Sequence, residues 1–161
     1  MGDRETPQWK ECAALFEPDG ALIDLYVLDA SIEHWERFVR ALPGWGYMIQ
    51  LANDEGPLPF TTAVRSFFAL RAPDAPWPGR LSIDLGGVLL MCHFFDPAQI
   101  ELDLDPREVL GPRELAMLVR FMERLADVTG KPVRMTPENS PNDVLMELDP
   151  ATQEWTIWPR S

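Results

Sequence analysis

The strongest fold signal lies at residues 80–104, which read RLSIDLGGVLLMCHFFDPAQIELDL. Two apolar runs flank Gly86-Gly87, a dipeptide typical of two-residue hairpin turns. Asp96 opens a second turn signal, and residues 99–104 then alternate strictly between polar and apolar side chains. The stretch therefore predicts a three-stranded antiparallel meander.

Two amphipathic helices are predicted, one before this meander in the sequence and one after it. Residues 111–130 carry apolar side chains at helical spacing, with Pro112 at the first helical position and Gly130 at the end. Residues 29–42 show the same spacing behind Ser31, a good N-cap. Both segments present one apolar stripe, which predicts that the two helices pack against a sheet.

The rest of the chain reads as short strands, turns and one ambiguous segment. Further strands are predicted at residues 21–28, 47–52, 132–136, 144–148 and 155–158. Residues 1–20 read as an irregular or partly helical lead-in, and residues 53–59 and 72–79 as loops. Residues 61–71 fit helical spacing better, although their Thr, Val and Phe content also suits a strand.

This order of elements predicts an α+β fold, with helices packed on one face of a mostly antiparallel sheet. An elaborated ferredoxin-like topology is one candidate arrangement. A chain of 161 residues with 46% hydrophobic and 10% aromatic residues can build a core, so we expect one domain spanning residues 1–161.

The charge balance narrows the class of partner. The formal net charge is −12, from 26 acidic and 14 basic residues, which argues against nucleic acid and favours a protein with a basic surface. Only Lys10 and Lys131 among the basic residues are lysines, a bias that suggests a GC-rich bacterial genome. The polar start and the absence of long apolar runs predict a cytoplasmic protein with no membrane association.

A row of carboxylates is the sharpest local motif. Glu101, Asp103 and Asp105 alternate with apolar residues, so a regular strand places them on one face about 7 Å apart. Such a row could bind Mg²⁺ or Ca²⁺, with Asp84 or Glu147 completing the site. We favour instead the solvated outer face of a strand, and expect no cofactor.

The cysteines and histidines give no catalytic set. Cys92 and His93 are adjacent in a predicted strand, so they point to opposite faces and cannot form a dyad together. Cys92 would need His34, which lies near the start of a predicted helix. Cys12 and Cys92 could form one disulfide, but a reducing compartment favours free, buried thiols.

Two groups of residues are candidates for binding. The loop at residues 136–143 is polar and contains two prolines, and Glu138 and Asn139 are its first residues to test. Tryptophans in loops or near the end of the chain are candidate interface residues: Trp77, Trp155 and Trp158. The alternatives are a plain surface connection and tryptophans that cap a small core.

These features favour binding over catalysis. The leading hypothesis is an acidic protein that binds another macromolecule, for example an immunity or antitoxin-like inhibitor that masks a basic toxin. A second is a carboxylate- or divalent-metal-dependent hydrolase, or a sensor of a small ligand. A third is a self-associating homo-oligomeric module.

Overall fold

The computed structural model of the chain describes residues 5–60, 64, 68 and 79–158. Within these residues, nine strands form one antiparallel sheet: β1 (Ile23–Val27), β2 (Met48–Asn53), β3 (Gly56–Leu58), β4 (Arg80–Asp84), β5 (Leu89–His93), β6 (Ile100–Leu104), β7 (Val133–Pro137), β8 (Met146–Asp149) and β9 (Glu154–Ile157). Their order in space is β3-β2-β4-β5-β6-β1-β7-β8-β9. The first strand of the chain therefore lies in the interior of the sheet.

The described residues also form α-helices and short 3₁₀ helices. The α-helices are α1 (Trp9–Cys12), α2 (Ile32–Ala41) and α3 (Pro112–Thr129), and short 3₁₀ helices span Ala13–Phe16, Leu42–Trp45 and Pro106–Glu108. α2 contacts α3, and α3 contacts β7 and β8. The predicted α+β class and the predicted meander β4-β5-β6 are both confirmed. Across the described residues, none of the helices combines the length and the apolar character that crossing a membrane requires.

Local signals fix the ends of the two long helices. Ser31 precedes α2, and its backbone N–H donates to Nδ1 of His34, 2.9 Å away. His34 thus takes the place of the Glu that often accepts this N–H from the third position of a helix. Pro112 is the first residue of α3, and Gly130 ends it with a left-handed φ of 68°. Both helices thus begin and end close to the predicted residues.

The core lies between the helices and one face of the sheet. A continuous row of fully buried side chains crosses the strands in register: Leu81, Cys92, Leu102, Leu25, Met135 and Met146. The rings of Phe38 and Trp45 lie 6.3 and 6.0 Å from that of Phe121 of α3. This burial is what attaches the helices to the sheet.

One prediction is corrected and three are left open. Residues 53–59 are not a plain loop, because β3 pairs with β2 through a tight turn in which Asn53 Oδ1 accepts the Glu55 N–H. Three residues were too few to show an alternating pattern. The predicted helix at 61–71 and the predicted loop at 72–79 fall outside the described residues, apart from 64, 68 and 79. The ferredoxin-like topology stays a prediction.

Candidate functional site

The face of the sheet opposite α2 and α3, here called the open face, carries polar side chains in cross-strand register. One row runs from β4 to β8 and consists of Arg80, His93, Glu101, Tyr26, Arg134 and Glu147. The next row contains Ser82, Met91, Asp103, Asp24 and Thr136. Because side chains alternate along a strand, these polar residues and the buried core are two faces of the same strands.

Tyr26 joins two carboxyl groups at the centre of the open face. Its hydroxyl oxygen lies 2.9 Å from Asp24 Oδ2 and 3.1 Å from Glu101 Oε1. Tyr26 and Asp24 are only 2% and 3% exposed, although they point away from the helices. Asp24 and Tyr26 are therefore held together away from water, with the half-buried Glu101 beside them.

A loop from the β7–β8 connection covers this cluster. The backbone N–H of Asn139 donates to Asp24 Oδ2 over 2.7 Å, and Arg134 Nη1 donates to the carbonyl of Pro141 over 3.0 Å. Glu138 Oε1 accepts the backbone N–H of Leu22. The segment at residues 138–143, here called the covering loop, is thus fastened to β1 and β7 at several points.

Burial and neighbouring charge shift the titration of the cluster. Burial is the largest cause that raises the pKa of Asp24, and its bonds from Asn139 and Tyr26 oppose that rise. Burial also raises the pKa of Glu101. The bond from Tyr26 and the neighbouring His93 oppose this rise, and the charges of Asp24 and Asp103 add to it. Burial and the neighbouring carboxyl groups raise the pKa of Tyr26 well above that of an ordinary phenol. Simultaneous ionisation of Asp24 and Glu101 is therefore unfavourable.

A histidine–carboxylate pair lies beside this cluster. His93 Nε2 is 2.7 Å from Asp103 Oδ2, and both side chains are about one-fifth exposed, at 20% and 19%. The ring of Phe95 stacks on that of His93 at a centroid distance of 4.9 Å and an interplanar angle of 11°. An imidazole that is oriented by a carboxylate and faces solvent can exchange a proton or bind an anion or a peptide group.

Of the three carboxylates predicted to form a row, only Glu101 and Asp103 lie within β6. Glu101 and Asp103 share the open face, but they are half-buried and hydrogen-bonded rather than solvated, which corrects the favoured interpretation. Glu101 contacts the Tyr26 hydroxyl and Asp103 contacts His93, while the Asp103 side chain stays 19% exposed. Asp105 lies beyond β6, where it accepts the backbone N–H of Arg107 and forms an ion pair with its guanidinium at 2.7 Å.

The same contacts argue against the metal alternative. Asp84 Oδ1 accepts the N–H of Gly86 in the β4–β5 hairpin, and Glu147 pairs with Arg134 at 2.9 Å. Neither carboxylate joins Glu101 and Asp103 in a common cluster. Within residues 5–60, 64, 68 and 79–158, no group of three or more His, Cys, Asp and Glu side chains has the arrangement of a metal site.

The thiols lie on the core side of the sheet. Cys92 and Cys12 are free and fully buried. Burial raises the pKa of Cys92 well above its ordinary value and that of Cys12 to about 11, so both favour the unreactive thiol form. His34 is held by Ser31 at the start of α2, where burial lowers its pKa. These residues contribute packing and capping.

The other predicted binding residues have different surroundings. Glu138 and Asn139 belong to the covering loop and therefore adjoin the Tyr26 cluster. Trp155 packs partly buried against the core, whereas Trp158 is 42% exposed at the end of β9. Trp77 lies outside the described residues.

Sequence patterns alone did not reveal the centre of the site. Asp24 and Tyr26 alternate with apolar residues in β1, which indicates only that they face away from the core. Their proximity to Glu101 depends on the pairing of β1 with β6, which are far apart in the sequence.

Comparison of the chain with protein-family models, curated proteins and solved structures finds no match.

Proposed function

We propose that the chain binds a basic protein partner through its open face, in the bacterial cytoplasm, as an immunity or antitoxin-like inhibitor that masks the partner's basic surface. The observation that supports this proposal is the combination of half-buried acids at the centre of the open face with exposed apolar side chains on the same face. Binding, rather than turnover of a substrate, is the activity that such a surface favours.

Exposed apolar side chains accompany the acids. Met48 and Leu89 flank Asp84 in register across three strands, and they are 79% and 41% exposed. Phe95, which stacks on His93, is 49% exposed. Methionine and aromatic side chains are enriched at protein interfaces, because they bury much apolar area when a partner docks.

Charge complementarity identifies the class of partner. With a formal net charge of −12, the chain attracts a basic protein from a distance and speeds the encounter. At the surface itself, Asp84, which is exposed between Met48 and Leu89, would accept a guanidinium or ammonium group of the partner, and such contacts fix orientation. We expect neither nucleic acid nor a membrane as partner, since both are anionic.

A matched pair of charge variants tests the proposal. Gln50→Arg adds one positive charge to an exposed position of β2 on the open face, and Ala116→Arg adds the same charge to an exposed position of α3 on the other side. A partner captured stoichiometrically from the native host by the unaltered chain should be basic and should be released as salt rises. Gln50→Arg should weaken its capture at least about tenfold, whereas Ala116→Arg should leave it within about twofold. Equal capture by both variants, or an acidic partner, would refute the proposal.

A second function is favoured by one observation. Two adjacent carboxyl groups with raised pKa values, Asp24 and Glu101, resemble the unequal acid pairs that hydrolases use. Turnover of small ester or phosphoester substrates that disappears in Glu101→Gln would support a carboxylate-dependent hydrolase.

Sedimentation as a dimer would support self-association, for which the edge strand β9 offers a pairing surface.

A further inference from the structure

Tyr26 has a single hydroxyl hydrogen, which limits how its two short contacts can be hydrogen bonds. A phenol has one hydrogen, so Tyr26 can donate to Asp24 or to Glu101 but not to both. If both carboxyl groups were ionised, one of the two contacts would set two lone pairs against each other with no hydrogen between them. A second hydrogen, carried by one carboxyl group, resolves the conflict because that group then donates to the phenol oxygen.

The surroundings of the two carboxyl groups indicate which one carries the hydrogen. Asp24 Oδ2 already accepts the backbone N–H of Asn139 at 2.7 Å, which stabilises an ionised Asp24. Tyr26 then donates to Asp24, and Glu101 donates to Tyr26. We propose that the cluster retains one carboxyl proton, held on Glu101, and that loss of this proton loosens the covering loop from the sheet.

The charged groups around the cluster agree with a retained proton. Asp103 lies on the same strand as Glu101 and opposite Asp24, and its charge disfavours a second anion on either of them. Glu138 adds to this effect at Asp24. Arg134 and His93 face the cluster from neighbouring strands, Arg134 across from Tyr26 and His93 across from Glu101. Each is already paired with another carboxylate, Arg134 with Glu147 at 2.9 Å and His93 with Asp103 at 2.7 Å.

The covering loop is the element that responds. When Glu101 ionises, the single Tyr26 hydrogen is contested by two carboxylates, and Asp24 loses part of the hydrogen bonding that its buried charge requires. Asp24 must then take up a proton or move toward water. Either change weakens its bond to the Asn139 N–H, which fastens the loop to β1. This proton-dependent contact requires no binding partner and is independent of the proposed function.

Nuclear magnetic resonance of the whole chain tests the inference directly. In a titration of ¹³C-labelled carboxyl groups, the midpoint of Glu101 should lie above its ordinary value of 4.5. Hydrogen exchange of the Asn139 amide, after the intrinsic dependence on pH is divided out, should become at least about tenfold faster above that midpoint.

Two glutamine variants on the same face provide the comparison. Glu101→Gln supplies a permanent N–H donor to Tyr26, so the protection of the Asn139 amide should no longer depend on pH. Glu154→Gln changes an exposed acidic residue of β9 on the open face and should leave the pH dependence intact. Protection of Asn139 that is constant through the Glu101 midpoint, or a proton found on Asp24 or on neither group, would overturn the inference. The titration of the unaltered chain decides this even if a variant does not fold.

Discussion

Replacing Tyr26 by Phe removes one oxygen atom and preserves the shape of the ring. In the native protein that oxygen lies 2.9 Å from Asp24 and 3.1 Å from Glu101. Asp24 is 3% exposed, so water cannot easily take the place of the lost donor. The variant therefore leaves a buried acidic group short of one hydrogen bond, and we expect a cost in stability rather than a change of fold.

The expected cost follows from the charge of the acceptor. Hydrogen bonds to charged groups contribute about 1.5–3 kcal/mol, so Tyr26→Phe should lower the free energy of unfolding at neutral pH by about 2 kcal/mol. For a chain of this length that corresponds to a fall in Tm of about 4–8 °C. The cost should shrink in acid, because a protonated Asp24 needs the phenol donor less than an ionised one does.

Urea unfolding at neutral and acidic pH measures both effects. Tyr47→Phe is the matched control, since Tyr47 is half-buried and its ring packs on Phe121 away from the carboxyl groups. That variant should change the free energy of unfolding by less than about 0.5 kcal/mol at either pH. A Tyr26→Phe effect no larger than the control, or one that grows in acid, would show that the hydroxyl does not stabilise an ionised carboxylate.

Four further outcomes follow from the core and from the first long helix. Phe121→Ala should destabilise the protein by about 3–5 kcal/mol in urea unfolding, because its fully buried ring contacts three other aromatic rings. Ser31→Ala should cost about 1 kcal/mol as a lost helix cap. The contribution of His34 to stability should decrease as the pH drops below 6.5, because folding lowers its pKa and the unfolded chain binds the proton more tightly. The difference in Tm between the native protein and His34→Gln measures this contribution. Iodoacetamide at neutral pH should modify Cys92 only as fast as the protein unfolds, and fast labelling of the native protein would contradict its burial.

Local patterns were sufficient to predict the elements that carry their own signals. The glycine pair at residues 86–87 predicts the hairpin, where its left-handed φ angles of 106° and 124° suit glycine. Pro112 and Gly130 likewise mark the two ends of α3. These signals depend on residues that are close together in the sequence. β3 was missed because its three residues and their tight turn offer no periodicity.

The candidate site required information that no local pattern contains. Alternation correctly placed Glu101 and Asp103 on the face away from the core, but the prediction that they are solvated was wrong. Their environment depends on Tyr26, which reaches Glu101 only through strand pairing. It depends also on the β7–β8 connection, which the sequence indicated only as a polar, proline-containing segment. Exposure of a strand face is therefore a property of the assembled sheet.

The position of β1 has a consequence for how the polypeptide acquires its structure during synthesis. Residue 23 pairs with residue 104 on one side and with residue 137 on the other. β1 must therefore wait, with both hydrogen-bonding edges open, until β6 and β7, which follow it in the sequence, have been translated. The apolar residues Leu25 and Val27 stay uncovered for that interval, so nascent chains should engage chaperones until β6 and β7 arrive.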